Sequence, residues 1–93
     1  MNAPLILTFK DTQERDILTL IRAARRAMIQ SNVFININLE DFPELGKPRP
    51  DKFSVQIYST LSSPSIKQKD INTVIREISD STGAVFVKIE ELI

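Results

Sequence analysis

A chain of 93 residues with 42% hydrophobic and 26% charged content makes one ordinary globular domain, with a thin core and little room for an internal site. Twelve basic residues balance twelve acidic ones, so the chain lacks the basic excess of a general polyanion binder, although a local basic patch is allowed. The absence of cysteine and histidine excludes disulfides, zinc–thiolate sites, thiolate nucleophiles, Ser-His-Asp triads and histidine-based proton transfer.

The opening MNAPLILTFK has a short apolar run with no basic segment before it. That is too short for a signal peptide or a membrane span, so a cytoplasmic protein is expected. Residues 4–10 read as a first strand. Asp11 then has the character of a helix N-cap, with Glu14 completing a capping box. Ile17, Leu20, Ile21, Ala24, Ala27 and Met28 fall on one side of a helical wheel, and Arg15, Thr19, Arg22, Arg26 and Gln30 fall on the other. This spacing predicts an amphipathic helix of about twenty residues.

Residues 33–39, VFININL, alternate cleanly. Val33, Ile35, Ile37 and Leu39 share one face, and Phe34, Asn36 and Asn38 the other, as in a half-buried strand. A long loop follows at 40–52, restricted by Pro43, Pro48 and Pro50. Its apolar residues Phe42 and Leu45 are expected to anchor it, either over the sheet edge or on a partner; Arg49 is its candidate polar contact. Residues 52–60 form the third strand, with Phe53, Val55 and Ile57 inside and Ser54, Gln56, Tyr58 and Thr60 outside. Ser63 before Pro64, or Ser65 with Gln68, is the expected cap of a second helix. That helix has its apolar stripe at Ile71, Val74, Ile75 and Ile78 and its stop at Gly83. Residues 84–92 make the last strand. Strict alternation there puts Val85, Val87 and Ile89 on one face and Phe86, Lys88 and Glu90 on the other.

The order strand, helix, strand, strand, helix, strand predicts a single α+β domain over 1–93. It is the ferredoxin-like βαββαβ arrangement: a four-stranded antiparallel sheet with two helices on one face. The second sheet face is then open, and in the predicted register it shows Phe34, Asn36, Tyr58, Phe86 and Lys88 beside Ile6, Thr8 and Lys10. Three of the chain's six aromatic residues (five Phe, one Tyr) would lie there, a patch that marks a partner site. Two partners fit: RNA bases stacking on the rings, or a second copy of the sheet in a two-fold homodimer. The third strand, DKFSVQIY, lacks the glycine and alternating aromatics of an RNA-recognition motif.

Other chemistry is narrower. Arg15, Arg22 and Arg26 form a basic stripe on the first helix, suited to a solvated face or to anion capture. Asp11 is explained as an N-cap; across a dimer, two such aspartates offer oxygen ligands to a magnesium ion. The acids Glu40, Asp41, Glu44 and Asp51 do not follow a calcium-loop spacing. GKPRP lacks the upstream glycine and the following Ser or Thr of a phosphate loop. No metal site and no cofactor is therefore expected.

The LILTFKD opening, the polar loop after strand 2 and the DKFSVQIYSTLSS segment together resemble the GhoS type of small antitoxin. The resemblance implies a ferredoxin-like endoribonuclease acting on messenger RNA. That family is similar in fold to the CRISPR spacer-acquisition nuclease, which implies a role for an aspartate after strand 1, here Asp11, and for arginines on helix 1, here Arg22 or Arg26. The residues themselves, without His or Cys, favour a small regulatory binding module with a protein or RNA partner and no turnover, forming a homodimer. An inhibitor of a host factor encoded by a phage or plasmid has the same features. An amino-acid-binding domain of the ACT type is disfavoured, because FKDTQ has no glycine at the strand 1 to helix 1 turn.

Overall fold

The structure, a computed structural model, describes residues 4–10, 17–38, 41–42, 51–61 and 65–92. Four strands and two helices follow the predicted order: β1 (Leu5–Lys10), α1 (Ile17–Gln30), β2 (Val33–Ile37), β3 (Lys52–Ser59), α2 (Gln68–Thr82) and β4 (Val85–Glu91). The strands form one antiparallel sheet in the order β2-β3-β1-β4, so the fold is the ferredoxin-like one. Among the described residues, no helix is long and apolar enough to cross a membrane.

The core lies between the helices and one sheet face. Leu5, Leu7 and Phe9 of β1 and Phe53, Val55 and Ile57 of β3 are buried at alternate positions, as a period of two requires. Leu20, Ala23, Ala24 and Ala27 of α1 cover them together with Ile71, Val74 and Ile78 of α2. Ala23 joins the buried face, while Ile17, Ile21 and Met28 are only half-buried at its margins. The proposed N-cap of α1, Asp11 with Glu14, lies outside the described residues, as does Arg15.

The second helix begins differently from expectation. Its N-cap is Lys67, extended at φ −96° and ψ 152°, with no side-chain cap, so Ser65 does not take that place; Ser63 lies outside the described residues. The Lys67 carbonyl accepts from the amides of Asp70 and Ile71. Asp70, in the first turn, is buried, and its charge complements the positive end of the helix. The stop at Gly83 is as predicted: φ is 75°, a left-handed conformation that glycine adopts without a Cβ penalty, and its amide donates to the Ser79 carbonyl.

Among the described residues the strand faces follow the predicted alternation except in β4; Leu39 lies outside the described residues. Thr8 stands opposite Lys88, but Phe9 stands opposite Phe86, so β4 carries one extra residue, Val87, between them. This bulge turns Phe86 to the helix side. There Phe86 packs edge-on to Phe9, with ring centroids 5.8 Å apart. Phe9 in turn stacks on Phe53 at 5.4 Å, and Phe53 meets Phe42 at 5.8 Å. Four of the five phenylalanines thus form one chain of rings from β4 across β1 and β3 to the residue that opens the long loop.

Candidate functional site

The open sheet face is built in rows across the strands. Residues directly opposite each other in antiparallel neighbours have Cβ atoms about 5 Å apart, so register alone brings side chains together. One end of the face carries an aromatic pair, Phe34 of β2 opposite Tyr58 of β3. Phe34 is 59% exposed. The next row runs Asn36, Gln56, Ile6, Glu90, and the Tyr58 hydroxyl donates to Gln56 Oε1. The third row runs Ser54, Thr8, Lys88, two hydroxyls followed by an ammonium. The last row sets Lys52 of β3 directly opposite Lys10 of β1, with Val85 beyond it.

The two lysines are both exposed and like-charged at a directly paired position, which disfavours the fold locally. Lys88 brings a third ammonium to the same end, although it also pairs with Glu90 at 3.2 Å. Thr8, Ser54, Lys52 and Lys88 line an open depression of about 320 Å³ at this end, together with the acids Asp41 and Glu90. Asp41 belongs to it for a structural reason. β2 stops at Ile37, opposite Val55, so the Ser54 amide beyond it has lost its ladder partner. The Asp41 carboxylate accepts from that amide at 2.9 Å. The Asp41 amide donates to the Asn38 carbonyl at 3.2 Å, and Phe42 packs onto Phe53. The start of the long loop is therefore pinned to its own sheet. Phe42 packs against the sheet through Phe53.

The residues singled out from sequence separate into three groups. Phe34, Asn36, Tyr58 and Lys88 do share the open face. Phe86 does not; the bulge places it in the core, and Val85, expected inside, takes the open-face position opposite Lys10. Arg22 and Arg26 are exposed on α1, in the helix layer away from that face. Arg26 reaches α2, donating to the Ser81 hydroxyl at 2.6 Å and lying 3.8 Å from Glu77 Oε2. Asp11, Leu45 and Arg49 lie outside the described residues. Sequence reasoning missed the opposition of Lys10 and Lys52. Each lysine ends or begins a strand, and the non-sequential β1–β3 register that sets Phe9 opposite Phe53 also sets Lys10 opposite Lys52. Asp41 as an edge cap left no such signal.

The chain matches no protein-family model. No curated protein matches its sequence.

Proposed function

We propose that this chain is a small regulatory module that binds single-stranded RNA across its open sheet face, without turnover. The observation that supports this best is the Lys10–Lys52 pair with Lys88 beside it. Lys10 and Lys52 face each other in register, with Lys88 and two hydroxyls in the adjoining row and the acids Asp41 and Glu90 beside them, at one end of a face whose other end offers two aromatic rings. Ammonium groups placed together against their own repulsion are complementary to a polyanion. From Lys52 to Tyr58 along β3 the distance is about 20 Å at 3.3 Å per residue, so phosphate contacts and base stacking are spaced along one strand of RNA. Asn36 and Gln56 between them present donors and acceptors suited to base edges. Loss of Phe86 from the face leaves the apolar patch a corner rather than a plane, and this weakens the case for stacking two sheets face to face.

The test is fluorescence anisotropy with labelled single-stranded RNA of mixed sequence over a salt series. Binding is expected at low salt, with a log–log slope near −2 for about three phosphate contacts. Lys10→Glu with Lys52→Glu is expected to abolish it, and Phe34→Ala to weaken it by about tenfold, the stacking contribution of one base. No binding at low salt, or binding indifferent to these changes, would overturn the proposal. The same incubations on denaturing gels read cleavage. Intact RNA agrees with binding alone, whereas cleavage lost in Asp11→Asn would favour the ribonuclease reading instead.

A further inference from the structure

Among the described residues, no strand pairs with the outer edge of β4, and its apolar residues are exposed. Val87 is 44% and Ile89 39% exposed, and Leu92 just beyond is also exposed. Ile89 stands opposite the fully buried Leu7, so it lies on the helix side of the sheet, yet α2 does not cover it. Beyond the bulge, residues 88–91 run in regular register against β1, and their other edge has no strand partner among the described residues. The direction of its main-chain groups can be assigned. The Leu92 amide donates to the Pro4 carbonyl, which makes that position a hydrogen-bonded pair. Hydrogen-bonded and non-hydrogen-bonded pairs alternate in an antiparallel ladder, so Glu90 and Lys88 also bond to β1. Ile89 and Glu91 therefore turn their N–H and C=O groups outward, to the free edge.

Native edges are commonly guarded by charge, and Lys88 and Glu90 are charges on this one. Their order decides whether they guard it. In two-fold antiparallel pairing, facing residues must share a sheet face, so the two-fold axis passes through a residue position. Centred on Lys88 or on Glu90, pairing sets like charges together. Centred on Ile89, it sets Lys88 of each copy opposite Glu90 of the other, and Ile89 against Ile89 on the helix side. Ile89 is also the residue whose N–H and C=O point outward, so the central pair exchanges two hydrogen bonds. We infer that β4 is a self-recognition edge: two copies of this chain pair antiparallel through β4 about Ile89, joining their sheets into one of eight strands. The alternation of the strands places self-association at the open face. This pairing instead leaves the open face of both copies on the same side and unobstructed.

The test is sedimentation velocity over a dilution series on the wild type, Lys88→Glu, Glu90→Lys and the double exchange. A reversible wild-type dimer is expected, with both single variants monomeric and the double variant dimeric again. Mixing the two single variants is expected to restore a dimer, because each supplies the charge that the other lacks. Ile89→Pro, which removes an outward amide without touching the ladder to β1, is expected to give a monomer with unchanged circular dichroism; should it fail to fold, the charge exchange decides. A wild-type monomer at every concentration would overturn the inference. So would a dimer indifferent to both single exchanges, or one that Phe34→Ala dissociates.

Discussion

The two outer strands of the sheet are built from similar residues and finished differently. β2 reads VFINI and β4 reads VFVKIEE, and each has a phenylalanine in second place. In β2 the alternation is unbroken, and Phe34 points to the open face, away from the helices. In β4 the extra residue Val87 reverses the strand ahead of it, and Phe86 joins the core. β2 ends early, and its far end is closed by Asp41 and Phe42. The edge of β4 is left open and carries opposite charges two residues apart. Two phenylalanines in matching places thus have opposite fates, and what separates them is register, not residue type.

The sharpest way to break that comparison is to remove each ring in turn. A fully buried phenylalanine costs about 3–5 kcal/mol when cut to alanine, and Phe86 is half-buried, so Phe86→Ala is expected to cost about 2 kcal/mol. Phe34→Ala should stay within about 0.5 kcal/mol, as an exposed position does. Urea denaturation of the two variants measures both. Equal losses, or a larger loss for Phe34, would restore the strict alternation of β4 and return Phe86 to the open face.

That contrast also explains what the sequence made legible. The element order, the inner faces of β1 and β3, the apolar stripes of both helices and the Gly83 stop all follow from local pattern. The pattern fails at Val87 because the bulge has no glycine or proline to announce it; the residues there are ordinary strand formers. The pairing of Phe86 with Phe9 rewards the bulge, and that is a tertiary effect. For the candidate site, the aromatic pair and Lys88 were readable from alternation. The Lys10–Lys52 opposition needed cross-strand register, and the role of Asp41 needed to know where β2 stops.

A smaller effect is expected at the closed end of β2. Asp41→Ala removes the acceptor from the part-buried Ser54 amide, a change that typically costs about 1 kcal/mol. Asp41→Asn keeps an acceptor oxygen and should cost less. Hydrogen exchange at the Ser54 amide gives the local reading: it should quicken in Asp41→Ala, while the Val55 and Ile57 amides deeper in β3 hold. Unchanged exchange at Ser54 would mean that this end is closed by Phe42 packing alone.

The smallest effect is expected where the two halves of the fold are joined across their helices. Arg26 of α1 bonds Ser81 and lies near Glu77, while Arg76 of α2 donates to Gln30 Oε1 at 3.4 Å. These contacts tie β1-α1-β2 to β3-α2-β4 at an exposed seam, where an ion pair contributes about 0–1 kcal/mol and is screened by salt. Arg26→Ala should therefore lower stability by less than about 1 kcal/mol, and by less still in high salt. Its value lies in the second readout. Arg26 sits in the helix layer, on the opposite side of the sheet from the lysines and aromatic rings, so RNA binding by Arg26→Ala should equal that of the wild type. An Arg26→Ala variant that keeps its stability and loses RNA binding would move the working surface from the sheet to helix 1.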